Sequence, residues 1–378
     1  MKISTGRNHS AALYVLGTLY PYFTGGMEIF NYYFLNHQLK NPDNTIFYLG
    51  ENKTDLATGN FVPLQRLRPQ RFFYPFQFFF TVLKLRKKLD FVYLCFAEQS
   101  WIIPFAHSLA LRFFNIPYIV TIHWGKAPAW KWRYPYVYFF RHAHAVIGVS
   151  EPICYAFKKA VPRQEFLYIP PLIPFQRAKT EKEALKKGMG YSIQEKILLY
   201  VGSLKPMKNP DKIVEAFRII GPDFLKTHNI RLIFAGNGEM EDDLRERVEK
   251  YDLGGYIRFE GLVSRENIPD YYKAADFYVI SSDYEGTSLS LMEAMFNKLA
   301  IVGSDGPGIN HMLRHEQNAL LYETVNIEEL AKTFKRIFTD PILGEKLSES
   351  AVADFNRQYS YESMIKKYES VFLSVDPE

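Results

Sequence analysis

Residues 196–209 read KILLYVGSLKPMKN. A short apolar run enters a glycine turn, as a strand covered on both faces of a parallel sheet enters its loop. Downstream, residues 211–220 carry a helical pattern and 230–235 a strand. A Gly236-Asn237-Gly238 turn follows, then the charged helix 240–251. Further strands are expected at 257–259, 276–280 and 299–302, with helices at 268–275 and 293–297. Strand alternating with helix over this length makes a doubly wound parallel sheet. Upstream the theme repeats, with strands expected at 13–19, 45–48, 91–95, 118–122 and 145–149, and helices at 28–40 and 105–114. The expected fold is therefore α/β, two doubly wound Rossmann-like domains facing a central cleft. Ligands of such sheets bind beyond the carboxyl ends of the strands.

The proline-rich segment 169–174 (IPPLIP), followed by the charged stretch 177–187, reads as a linker. It divides domain 1–172 from domain 173–360, with a last helix at about 361–378 expected to pack back on the first. A chain of 378 residues suits two domains. With 47% hydrophobic and 23% charged residues it is too apolar to be disordered. Cys95 and Cys154 supply neither a metal spacing nor a disulfide framework, which points to a reducing compartment. The apolar stretch 11–20 lacks a cleavage pattern and reads as a first strand, not a signal. Residues 72–83 are too short to span a bilayer. A cytoplasmic protein is expected, with peripheral placement on the inner face of the plasma membrane as an extension.

Charge divides the chain. Residues 1–172 hold 19 Lys and Arg against eight Asp and Glu, and the remainder 27 against 33. The basic half should face something anionic.

Chemistry concentrates in residues 281–295, SSDYEGTSLSLMEAM. Glu285 falls in a loop, Gly286 follows, and Thr287 or Ser288 suits the cap of the next helix. Glu293 is then expected about two turns into that helix. A helix mouth with free N–H groups suits a diphosphate, and a carboxylate suits the vicinal hydroxyls of a sugar. Two glutamates eight apart are otherwise ordinary solvated residues. Lys208, at the end of the 201–209 turn, could neutralise a leaving phosphate without a metal, or simply be a surface lysine.

With residues 235–239 (AGNGE) and 259–263 (FEGLV) in order, and the setting S-x-x-E-G-x-S-L-x-x-x-E-A, the chain resembles retaining glycosyltransferases of family 4, with the GT-B architecture and a bacterial surface-polysaccharide type. The resemblance implies that Glu293 holds the donor ribose and Glu285 contacts the transferred sugar. It implies that the Thr287–Ser288–Leu289 backbone, beside Gly286, cradles the diphosphate and that Lys208 stabilises the departing phosphate. Val263 and Ser203 fall at donor-binding positions, though the family's arginine is absent at Ser203, with Lys205 nearby. Gly25 and Gly26, in TGGME at 24–28, match a loop approaching the donor, and His123 in YIVTIHWG at 118–125 matches a histidine near the anomeric carbon. Residues 145–150 (AVIGVS) match a further strand-and-serine element. The family's glycine pair and glutamate appear as Pro307-Gly308 and His311, and its N-G as Asn318-Ala319.

The implied activity is transfer of a hexose-type sugar from a nucleotide-diphosphate donor to a glycan or lipid-linked acceptor. A UDP-sugar is expected in preference to a GDP-sugar, with no cofactor and no metal. A nucleotide-sugar epimerase of the same architecture, or a non-catalytic sugar-binding scaffold, are the alternatives. Residues 66–88 and 126–142 interleave cations with aromatics, fitting either an anionic membrane surface or an aromatic core helix with basic ends. No nucleic-acid motif is present. Gly236-Asn237-Gly238 lacks the third glycine of a dinucleotide fingerprint, and His142 with His144 lack a third ligand.

Overall fold

The computed structural model describes residues 11–15, 26–42, 44–50, 61–65, 70–96, 102–123 and 133–375. The chain divides into two compact units, residues 1–174 with 364–378, and residues 175–363.

The first unit is built on seven parallel strands: β1 (Ala11–Val15), β2 (Thr45–Gly50), β3 (Phe61–Gln65), β4 (Phe91–Phe96), β5 (Tyr118–Ile122), β6 (Ala145–Gly148) and β7 (Phe166–Tyr168). They lie in the order β3-β2-β1-β4-β5-β6-β7. Its helices are α1 (Gly26–Gln38), α2 (Gln70–Leu85), α3 (Ile102–Phe113), α4 (Arg133–Arg141) and α5 (Glu151–Ala160). Leu13, Val92, Leu94, Val120 and Ile122 point from the sheet into a core shared with Phe78 and Val82 of α2, Leu111 of α3 and Phe139 and Phe140 of α4. Residues 66–88 thus hold a helix with one buried face.

The second unit carries β8 (Lys196–Val201), β9 (Ile230–Ala235), β10 (Ile257–Gly261), β11 (Phe277–Ile280), β12 (Ala300–Ser304) and β13 (Leu320–Tyr322), all parallel, in the order β10-β9-β8-β11-β12-β13. Its helices are α6 (Lys182–Gly188), α7 (Pro210–Ile220), α8 (Pro222–Thr227), α9 (Glu241–Lys250), α10 (Ile268–Ala274), α11 (Leu289–Phe296), α12 (Ile309–Met312), α13 (Ile327–Thr339) and α14 (Pro341–Gln358). The chain winds outward from β8 through β9 to β10, then returns to the opposite side of β8 with β11. The strand order reverses between β8 and β11, where Leu198 and Leu199 pair with Phe277 and Tyr278. That switch point is where a doubly wound sheet opens a crevice.

The last helix, α15 (Tyr361–Leu373), joins the first unit from Met364 onward. Tyr368 lies against Phe34 at a ring separation of 5.3 Å, and Phe372 stacks on Phe91 at 5.4 Å.

Some expectations are corrected. The charged stretch 177–187 is not all linker: α6 starts at Lys182, and the buried Lys186 gives its ammonium to the Glu195 carbonyl (2.6 Å) and Asp276 (2.9 Å). The second sheet does not close at 302, because β13 adds an edge strand. The strand expected at 13–19 is described only as far as Val15; its remainder lies outside the described residues. The glycines of the 236–238 turn answer to packing. A Cβ on Gly236 would fall 1.9 Å from the Gly202 carbonyl oxygen, and one on Gly238 would fall 2.3 Å from that of Leu204. The turn lies directly on the β8 loop and fixes its path.

Candidate active site

Two loops meet at the switch point, one leaving β8 and one leaving β11. The β8 loop forms a short 3-10 turn, Pro206–Lys208, and ends in Asn209 with left-handed backbone (φ 48°). An asparagine tolerates that conformation, and here its amide nitrogen donates to the Ser281 carbonyl (2.9 Å) and to Asp283 Oδ1 (2.6 Å). Ser281 Oγ donates back to the Lys208 carbonyl (2.7 Å), and the Asp283 N–H donates to the Met207 carbonyl (3.0 Å). The loops are laced together by both backbone and side chain.

This lacing brings Lys208 and Glu285 into contact, with Nζ 2.5 Å from Oε1. Ser282 Oγ donates to the same oxygen at 2.7 Å. Both side chains are largely covered, at 24% and 12% exposure, so the pair is shielded from the screening that weakens surface ion pairs. Glu285 is fixed from behind as well. Its N–H donates to the Pro307 carbonyl (3.0 Å), and Gly308, at φ 90°, presses so closely that a Cβ would sit 1.9 Å from the Glu285 carbonyl oxygen.

Ser288, of the two candidates, caps α11, accepting from the Leu291 N–H at 3.3 Å. Glu293 is the fifth residue of that helix, a little over one turn in rather than two. It is buried at 7% exposure among Leu291, Met292, Ala294 and Met295. Burial pushes its carboxyl above the ordinary range, while the Arg265 guanidinium and the Tyr272 hydroxyl pull it back. Arg265, in the loop between β10 and α10, forms an ion pair with Glu293. Val263 is half-buried in the same loop. Arg265 escaped the sequence reading because its partner lies 28 residues away and only the sheet joins them.

Ser203 accepts at its carbonyl from the Tyr200 hydroxyl (3.0 Å), and Lys205 is exposed. Gly286 and Thr287 are half-buried between Glu285 and the cap, and Leu289 opens α11. In the first unit, His123 follows β5 and packs tilted against Phe30 (4.8 Å). Its Nε2 is buried with no hydrogen-bond partner among the described residues, and burial lowers its pKa to about 3. Gly26 begins α1, while Gly25 lies outside the described residues. His142 and His144 do not converge on one site: the first uses Nδ1 on the Tyr138 carbonyl, and the second faces Ser374 Oγ.

The profile described as Glycosyltransferase Family 4 matches residues 24–177, and that described as Glycosyl transferases group 1 matches residues 181–353. The chain belongs to glycosyltransferase family 4. An uncharacterised glycosyltransferase from Methanocaldococcus jannaschii is 28% identical over 192 residues, covering 51% of this chain and 48% of that protein. An Escherichia coli UDP-Gal:α-D-GlcNAc-diphosphoundecaprenol α-1,3-galactosyltransferase is 25% identical over 284 residues, covering 70% and 73%. The chain spans about half the length of the first curated relatives it matches. Among solved structures, the Anabaena protein HepE in complex with UDP and glucose is similar with a TM-score of 0.73 at 15% identity, over 97% of this chain and all of that one. Likeness at that identity concerns the fold, the two Rossmann-like domains of the GT-B glycosyltransferases.

Proposed function

We propose that this family 4 chain is a retaining hexosyltransferase that moves a sugar from a nucleotide-diphosphate donor, in preference a UDP-sugar, to a glycan or lipid-linked acceptor of a cell-surface polysaccharide. The observation that carries the reading is the Lys208–Glu285 pair at the switch point, with Glu293 on the helix that follows. The donor binds to the second unit. Glu293 accepts the ribose hydroxyls, backbone N–H groups at the α11 mouth face the diphosphate, and Lys208 turns from Glu285 to the departing phosphate. The bond between the anomeric carbon and the phosphate oxygen breaks, and its electron pair leaves with the nucleoside diphosphate. The acceptor hydroxyl attacks the same face and its proton passes to a phosphate oxygen. His123, in the first unit, is a neutral hydrogen-bonding group. The E. coli relative's named substrates and the UDP in the Anabaena complex support a UDP donor.

A thermal-shift panel of UDP, GDP and ADP tests this, since a ligand bound only by the native state raises its melting temperature. UDP should raise it in wild type and not in Glu293→Ala. No rise with any of the three would bring forward a sugar-binding scaffold without catalysis.

A second feature extends the reading to a membrane surface. Phe76 and Phe80 lie one turn apart on α2 at 65% and 61% exposure, and Phe113 of α3 is 76% exposed. Phe79 touches both Phe80 and Phe113, so the exposed rings form one patch; Lys84 lies one turn on from Phe80, and Arg86 sits over the neighbouring Phe114 ring. Aromatics ringed by cations suit an anionic lipid surface. No helix among the described residues is long and apolar enough to cross a membrane. Flotation with phosphatidylglycerol vesicles should carry the protein upward, and Phe76→Ser/Phe80→Ser should abolish it. Failure of wild type to float removes this extension and leaves the transfer reading standing.

A further inference from the structure

We propose that Arg265 is a positioning residue for the donor: it holds the Glu293 carboxylate ionised and oriented so that it accepts both vicinal hydroxyls of the donor ribose. The inference rests on the donor reading above and adds to it a residue that no motif marks.

Glu293 stands in a helix whose neighbours Leu291, Met292, Ala294 and Met295 are fully buried apolar side chains. A carboxylate there pays heavily in lost hydration, and an isolated one would take up a proton. A protonated carboxyl donates through one oxygen, whereas a diol needs two acceptors. The helix therefore cannot offer a diol acceptor unless something near it favours the charged form. Around Glu293, the groups are few. Arg265 ion-pairs with it from the β10–α10 loop. Tyr272 of α10 places its hydroxyl nearby and gives its one proton to the Ser290 carbonyl (2.8 Å), and Tyr278 of β11 donates to Ser290 Oγ (2.8 Å). Both tyrosines are held neutral by burial. Helix α14, packed along α11, directs Asp354 to Arg314 and Arg357, and Glu349 to Lys298. Arg265 is the one cation paired with Glu293 among the described residues, and its side chain keeps 25% exposure, within reach of a ligand.

The test is calorimetric titration of UDP and 2′-deoxy-UDP between pH 6 and 9, on wild type, Arg265→Gln, Arg265→Lys and Glu293→Gln. Wild type should prefer UDP to the deoxy form across the range. Arg265→Gln should lose about tenfold or more in UDP affinity at neutral pH, the scale of a lost charged acceptor, and should lose the ribose preference. The loss should shrink toward pH 9, because a carboxyl freed of its cation ionises only as pH rises. Arg265→Lys should restore most of both. An Arg265→Gln protein with wild-type affinity and preference, or with one uniform loss at every pH, overturns the assignment, the second outcome marking a packing role. Failure of the donor reading looks different: wild type then binds no UDP, or Glu293→Gln binds it unchanged, and the role of Arg265 falls with it.

Discussion

Lys208 and Glu285 are 77 residues apart in sequence, yet Nζ and Oε1 lie 2.5 Å apart across two loops leaving adjacent strands. Each neutralises the other at a largely covered position, so removing one strands its partner. Lys208→Ala should lower stability by about 1–3 kcal/mol in urea unfolding and lower kcat/KM by roughly a hundredfold or more. The double variant Lys208→Met/Glu285→Gln should recover the stability and not the turnover. Recovery of both would show the pair to be architectural only.

Gly308 buttresses that pair. Its φ of 90° and the 1.9 Å a Cβ would leave to the Glu285 carbonyl exclude a side chain. Gly308→Ala should lower the unfolding free energy by about 1–3 kcal/mol or more, the range for strained backbone. Turnover should fall further than stability explains, because the displaced segment carries Glu285. Paired melting curves and steady-state rates read both.

His123 sets a pH dependence of stability. Its folded pKa of about 3 lies below its ordinary value of 6.5, so the unfolded chain binds the extra proton between those values. The buried neutral ring's contribution is intact above about pH 6.5 and is lost as pH falls from there toward 3. Wild type should therefore lose more unfolding free energy between pH 7 and 4 than His123→Gln does. Parallel slopes would show that the ring is hydrated in the native state.

The proposed chemistry draws its positive charge from Lys208 and the α11 terminus. Turnover should accordingly be unchanged by EDTA and by later addition of Mg²⁺ or Mn²⁺. An EDTA-sensitive rate restored by either ion would assign leaving-group stabilisation to a metal instead.

The parts of the fold legible in sequence are those whose physics is local. Strands β5, β8 and β9 are largely apolar, broken only by Thr121, Lys196 and Arg231, because both faces of the sheet are covered, and their expected limits match those found. β3 is harder to see: it lies at the sheet edge and includes Pro63, a residue that central strands exclude. β7 and β13 are three residues each, too short for a period to show. Helix α2 contains Pro75 and aromatic residues on several sides, which hides its 3.6-residue stripe. At the candidate site, Glu285, Glu293 and Lys208 stood out through their spacing and setting. Arg265, Ser282 and the left-handed Asn209 did not, since each matters only through a partner that the tertiary fold supplies.

Helix α15 has a bearing on how the chain comes to be folded at all. His37 and Glu369, 332 positions apart, meet within 3.3 Å in the same unit, and Phe34 and Phe91 are covered by rings from the chain's last helix. On the ribosome, the first unit emerges with that aromatic face bare and waits while residues 175–363 are made, roughly 10–40 s at ordinary elongation rates. The second unit, contiguous in sequence, can finish first. Synthesis runs from the amino end, but completion runs the other way.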